Sequence, residues 1–155
     1  MRRKNGAGFT LMELLVVVSI ALILLAVTLQ GLVSLRRERV LDESVVRVVT
    51  LVGEARSLTL FSKNATEYGV HFTTSDVTRF TGATYSSENP DNVVTALPLH
   101  ATISSIMLEG GGSDIVFDRL TGETDAFGTI TLELSADPTR TRTITVSHVG
   151  LVEVQ

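Results

Sequence analysis

The feature that most constrains this chain is a long apolar run near its N-terminus. Residues 14–29 read LLVVVSIALILLAVTL, in which Ser19 and Thr28 are the only polar side chains. The run continues with few polar interruptions to Leu35, and as a helix residues 14–35 would be about 33 Å long. A helix of that length crosses the hydrocarbon core of a membrane, which is about 30 Å thick. The sequence therefore predicts a membrane-spanning helix here.

Charge is separated along the chain. Residues 1–8 contain three of the 13 basic residues, Arg2, Arg3 and Lys4, and none of the 17 acidic ones. Ten basic and 17 acidic residues remain after them, a net charge of −7. Because a negative surface repels phosphate groups, we do not expect the body to bind nucleic acid. The absence of cysteine excludes disulfides, zinc–thiolate sites and a cysteine nucleophile.

The residues around the start of the apolar run are Gly8-Phe9-Thr10-Leu11-Met12-Glu13. The pattern resembles the processing site of type IV prepilins and type II secretion pseudopilins. That site has a short basic leader that ends in glycine, then a phenylalanine, a glutamate at the fifth position counted from the phenylalanine, and an apolar helix. The resemblance implies that a prepilin peptidase cleaves between Gly8 and Phe9 and N-methylates Phe9. It also implies that Glu13 pairs with the terminal amine of a neighbouring subunit during filament assembly.

Glu13 also has a physical rationale. A carboxylate beside a long apolar helix is costly unless a cation compensates its charge. Cleavage after Gly8 would create such a cation, the amine of Phe9. The alternative is a glutamate at the membrane interface whose carboxylate reaches water. A secretory signal peptide remains a further alternative for the N-terminus, although no small-residue cleavage site follows the apolar run.

The helix is predicted to continue past the membrane as an amphipathic segment. Apolar residues recur at spacings of three and four and so share one helix face: Leu41, Val45, Val48, Val52 and Ala55, widened by Val46, Val49, Leu51 and Leu58. We expect this face to pack on the sheet of the same chain rather than on a partner helix, because the following strands need a cover.

The rest of the chain changes to a period of two. This alternation predicts strands over 70–74, 77–81, 129–134, 143–147 and 151–154, with a long exposed loop over 82–96. The predicted fold class is α+β, pilin-like, with a long N-terminal helix packed on an antiparallel β-sheet domain. The predicted parts are a leader at 1–8, a transmembrane and filament-core helix at 9–35, its amphipathic continuation at 36–62 and a β-rich domain at 63–155.

The C-terminal part resembles GspH/FimT-like minor subunits. In these a Phe-x-x-x-x-Gly segment, here Phe117 to Gly122, precedes two strands and a Ser-x-x-Gly turn, here Ser147 to Gly150. The resemblance implies a minor subunit of a type II secretion pseudopilus or a type IV pilus, with other pilins or pseudopilins as partners. It implies a single pass through the bacterial inner membrane and a periplasmic or extracellular body.

Two alternatives stay open for the function. Some FimT-like subunits take part in DNA uptake and present basic residues near the last glycine, whereas Gly150 is followed by Leu-Val-Glu-Val and only Arg140 and Arg142 are basic nearby. The other alternative is a single-pass anchored β-domain that binds a soluble partner, with its leader left uncut.

No pattern of a catalytic or metal site is found in the sequence. The histidines lack partners at zinc-ligand spacing and are expected to face solvent from strands: His71, His100 and His148. The acids around Gly122 do not match a calcium loop of the EF-hand type: Asp118, Glu123 and Asp125. No nucleophile elbow or Ser–His–acid order occurs. The sequence therefore predicts neither an enzyme nor a cofactor.

Overall fold

The structure, a computed structural model, describes residues 9–61 and 65–155, without the side chains of residues 28–37. Internal contacts divide the chain into two units, with the boundary between Arg37 and Glu38. The predicted leader at 1–8 lies outside the described residues, as do the predicted helix end at 62 and the first residues, 63 and 64, of the predicted β-rich domain.

One helix, α1, extends over Leu11–Leu60. Thr10 precedes it and accepts a hydrogen bond on its side-chain oxygen Oγ1 from the backbone N–H of Glu13, at 3.2 Å. This bond satisfies one of the N–H groups that the first helical turn leaves without a backbone acceptor. No proline occurs between Leu11 and Leu60, so nothing in the sequence interrupts the backbone hydrogen bonds of the helix.

Eight strands follow in the described part of the chain: β1 Tyr68–Phe72, β2 Asp76–Thr81, β3 Val93–Ala96, β4 Ala101–Leu108, β5 Asp114–Phe117, β6 Gly128–Leu134, β7 Asp137–Val146 and β8 Val152–Val154. They form two four-stranded antiparallel sheets, with the orders β3-β2-β1-β5 and β4-β6-β7-β8. The predicted α+β, pilin-like class is confirmed. The division into two sheets was not predicted.

The predicted apolar face of the helix is buried against both sheets. Val48, Val52 and Ala55 are completely buried, in one hydrophobic core with strand residues such as Val70 and Ile130. The prediction that this face packs on the same chain is confirmed. The prediction for Val46 was wrong, because its side chain is 62% exposed and lies off the buried face.

Residues 82–96 differ from the predicted exposed loop. Their last part forms β3, which pairs with β2 at the edge of the first sheet. Tyr85 is half-buried and stacks on His71, with ring centroids 3.9 Å apart, and meets Phe80 edge-on at 5.5 Å. Gly69, opposite Phe80 in the ladder, has no room for a side chain because a Cβ would lie 2.4 Å from the Phe80 ring.

β4 and β5 were not predicted either. β4 contains a register shift between Ile103 and Ser105, and such a bulge breaks the alternation on which the strand prediction depends. β5 has only four residues, Asp114–Phe117, too few to establish a period.

Candidate functional site

The predicted processing and assembly residues lie where α1 begins. Phe9 precedes the helix, and its side chain is 82% exposed. Glu13 lies in the first helical turn, where the partial positive charge of the helix N-terminus favours a carboxylate. The spacing from Thr10 to Glu13 is also that of a capping box. Gly8, the residue predicted to precede the cleaved bond, lies outside the described residues.

The apolar side chains that follow Glu13 have no cover in the described part of the chain. From Leu14 to Val27 the large apolar residues are 47–65% exposed, and their positions cover every face of the helix. Ser19 is the one polar residue among them, and its hydroxyl donates to the Leu15 carbonyl at 2.7 Å. A helix that is apolar all round is normally buried in a membrane or among other helices.

Within the side chains that the structure describes, no helix combines the length and the apolar character needed to span a membrane. The predicted span continues to residue 35, and its side chains from residue 28 onward lie outside the description.

Residues 3–29 match the family model described as the prokaryotic N-terminal methylation motif. The chain carries a type IV pilin-like signal. The match includes Gly8, Phe9 and Glu13 and most of the apolar run. The signal implies processing by a prepilin peptidase, assembly with other pilins and anchoring in the membrane by the N-terminal helix. No curated protein and no solved structure matches the chain at a significant level.

The two glycine segments of the C-terminal part meet at one arginine of α1. Arg56 donates from Nε to the carbonyl oxygen of Gly122 and from Nη2 to that of Val149, each at 3.1 Å. Gly122 ends the first segment, and Val149 lies inside the Ser-x-x-Gly turn. One guanidinium therefore holds both turns against the helix, with two charge-assisted hydrogen bonds.

Gly150 is required by this arrangement. A Cβ at position 150 would lie 2.2 Å from the Gly122 carbonyl oxygen and 2.6 Å from Arg56 Nε. The φ angle of Gly150 is also +74°, which glycine adopts without strain. The turn is closed by the Ser147 hydroxyl, which accepts from the Leu151 N–H at 3.1 Å. Ser147 and Gly150 therefore have a structural role, because they shape the turn that packs against Gly122 and Arg56.

Arg56 was not identified from the sequence. The available signal was a basic residue next to the buried helix face, adjacent to Ala55 and four residues after Val52. A charged side chain at the margin of a buried face usually extends to a hydrogen-bond acceptor. Which acceptor it reaches depends on turns that are 66 and 93 residues away in the chain.

The basic residues considered for DNA binding are paired with acids. Arg140 Nη1 lies 2.7 Å from a Glu38 carboxylate oxygen, and Arg140 Nε lies 3.3 Å from Asp137. Arg142 Nη2 lies 3.3 Å from Asp42. Both arginines thus join β7 to the first turns of the helix within the body.

The histidines differ from the expectation of solvent-facing strand residues. His71 is in β1, but its side chain is only 20% exposed and its Nδ1 lies 2.5 Å from the Asp114 carboxylate. His100 and His148 are exposed, but both lie in turns rather than strands. Among the described residues, no group of three or more acidic or histidine side chains is arranged to hold a metal ion.

Proposed function

We propose that this protein is a minor pilin or pseudopilin, a structural subunit of a type II secretion pseudopilus or a type IV pilus. The observation that carries the proposal is the N-terminal methylation motif, which leads directly into a helix with apolar side chains exposed on every face. The body has a closed hydrophobic core without these side chains, so they are available to lipid and then to neighbouring subunits.

Glu13 and the amine of Phe9 would direct assembly. Moving an apolar helix from lipid to a bundle of similar helices gains little hydrophobic free energy, because lipid chains are as apolar as leucine. Specific polar pairs and close packing must then determine which helices associate and in which register. A pair between the Glu13 carboxylate of one subunit and the Phe9 amine of the next would provide this, since each group is costly to leave alone in apolar surroundings.

Processing would precede assembly. A prepilin peptidase would cut between Gly8 and Phe9 and methylate the new amine, while the helix holds the chain in the inner membrane. The body would then lie on the periplasmic or extracellular side. The support for a minor subunit is the resemblance of the Phe117–Gly122 and Ser147–Gly150 segments to GspH/FimT-like subunits.

The test of the assembly role is Glu13→Ala in the native host. We expect normal membrane insertion and loss of incorporation into filaments, scored by membrane fractionation and by the protein content of sheared or isolated filaments. Glu88→Ala is the matched control, because Glu88 is an exposed acid in a turn of the body. Normal incorporation of the Glu13→Ala protein would contradict the proposal.

The test of processing is a bulky substitution, Gly8→Leu. Intact-mass spectrometry of the protein from its host should find a methylated Phe9 terminus in the wild type and a retained leader in the variant. A wild-type chain that keeps its leader would instead favour a plain anchored β-domain.

DNA uptake is tested separately, by titrating the full chain in detergent with duplex DNA at low and high salt. The pairing of Arg140 and Arg142 with acids favours the absence of tight binding. Tight binding that weakens steeply with salt would favour the uptake role instead.

A further inference from the structure

A groove of about 520 Å³ lies beside the C-terminal end of α1. Its lining comes from one side of the helix and from a single residue of β2: Gly53, Glu54, Ser57, Leu58, Phe61 and Arg79. It is distinct from the N-terminal residues to which the proposed function assigns processing and assembly.

The side chain of Arg79 makes no hydrogen bond with any residue that the structure describes. Its side chain is 18% exposed, and its Nε is buried without an acceptor. The Glu54 carboxylate oxygen lies 3.9 Å from Nε, which is beyond hydrogen-bond distance. The guanidinium lies over the Tyr68 ring at 5.9 Å, and such a contact uses the face of the group rather than its N–H donors.

The groove also has an apolar side. Phe61 is 84% exposed, and Leu58 is half-buried. Gly53 leaves open space in the lining of the groove, because a Cβ at that position would meet nothing within 4 Å. An exposed aromatic ring next to a desolvated arginine is the composition typical of residues that dominate protein–protein interfaces.

We propose that this groove binds an acidic segment of a different protein, one in which an aspartate or glutamate stands next to an apolar side chain. The carboxylate accepts two hydrogen bonds from the Arg79 guanidinium, in the side-by-side geometry that suits both groups. The apolar neighbour packs on Leu58 and Phe61. The inference adds a contact that the filament role does not specify.

The form and charge of the groove favour this occupant. Most of its lining is exposed, so it admits a surface segment, whereas small-molecule sites usually enclose their ligands. Glu54 does not block the carboxylate, because its side chain is 53% exposed and can turn into water.

The first experiment is an NMR titration of the isotope-labelled full chain in detergent micelles. The probes are two peptides, acetyl-Leu-Glu-Leu amide and acetyl-Leu-Gln-Leu amide. We expect the glutamate peptide to shift the amide signals of residues 53–61 and of Arg79, and to bind about tenfold more tightly than the glutamine peptide. Equal affinities, or shifts located elsewhere, would overturn the proposal.

Two variants identify the site. Gly53→Leu fills the groove from a helix position with open space around it, so the fold is kept and the glutamate peptide should no longer bind. Thr50→Leu is the matched control, an exposed position one turn earlier that does not line the groove, and it should bind as the wild type does. Unchanged binding by Gly53→Leu would contradict the assignment of the site.

The second experiment tests the occupant in the native host. A photoreactive phenylalanine analogue in place of Ser57 should crosslink to a different protein, and mass spectrometry should locate the link within a segment that contains aspartate or glutamate. A link to a second copy, to a segment without an acid, or to no protein would overturn the proposal. The processed N-terminus is read from the same cells, so failure of the filament role is recognised independently.

Discussion

The two halves of α1 contain the same kinds of residue in opposite surroundings. Val17 is 60% exposed and Leu24 is 62% exposed, whereas Val48 and Val52 in the same helix are completely buried. The difference is that two sheets cover the second half, whereas the large apolar side chains from Leu14 to Val27 in the first half are exposed. Hydrophobicity alone therefore does not tell which part of the helix serves the fold and which part is left for other molecules.

Polar residues make the same distinction. The second half carries acids that pair with β7, and an arginine that holds two turns in place. The first half, from Leu14 to Val27, carries Ser19 alone, which bonds within its own helix. The helix thus belongs to the body through its polar contacts as well as its apolar ones, but only over the later part of its length.

The largest expected difference in stability is between two variants that each place one carboxylate in a different half of α1. Val52→Asp should destabilise the body by about 3–5 kcal/mol, because a carboxylate would be buried among apolar side chains without a cation. Val17→Asp should change the unfolding of the body by less than about 0.5 kcal/mol. Urea unfolding of the full chain in detergent, followed by circular dichroism, measures both. Similar losses for the two variants would contradict the comparison.

A smaller effect is expected at Gly150. Gly150→Ala should cost about 2–4 kcal/mol, since the new Cβ collides with the Gly122 carbonyl and the backbone has a positive φ. Gly53→Ala is the control on the helix, where alanine has space and should stabilise by about 0.5–1 kcal/mol. The same unfolding measurement applies. A neutral Gly150→Ala would mean that the turn does not approach Arg56 as described.

Arg56→Ala is next in size. It removes two hydrogen bonds from a guanidinium to backbone carbonyls and should cost about 1.5–3 kcal/mol. Amide hydrogen exchange at Val149 and Gly150 should also be faster in the variant than in the wild type, and this increase should be larger than any increase in the strands of the core. If Arg56→Ala leaves both stability and exchange unchanged, the arginine does not hold the turns.

The smallest effect is expected for the ion pairs between helix and β7. Arg140→Ala should cost less than about 1 kcal/mol, because the pair with Glu38 is half-exposed and screened by salt. A double-mutant cycle with Glu38→Ala isolates the pair from other losses at the two positions. A coupling of several kcal/mol would show that polar contacts hold the helix to the body more strongly than its buried face.

The predictions made from periodicity succeeded where the pattern was long. The buried face from Leu41 to Ala55 and the alternation around Ile130 and Ile144 were both recognised, since each extends over several repeats. β4 was missed because its bulge breaks the period, and the strand Val93–Ala96 was missed because it is a short edge strand. Tyr85 was placed in an exposed loop, because nothing local indicates that it stacks on His71.

The candidate sites divide in the same way. Gly8, Phe9 and Glu13 were recognised from consecutive residues, and the match over residues 3–29 supports the motif that contains them. Their roles in cleavage, methylation and pairing remain proposals. Arg56 and Arg79 could not be recognised, because their significance depends on which turns and which strand lie beside the helix.

The sequence by itself determined the type of the elements with a long regular pattern and the methylation signal, because these depend on neighbouring residues and on repeats of two or 3.6 positions. Only the tertiary structure decided that the strands form two sheets, that Arg56 joins the turns at Gly122 and Gly150, and that the Arg79 Nε has no acceptor among the described residues. The physical reason is distance along the chain. These contacts join residues separated by tens of positions, and their geometry exists only when the whole core is packed.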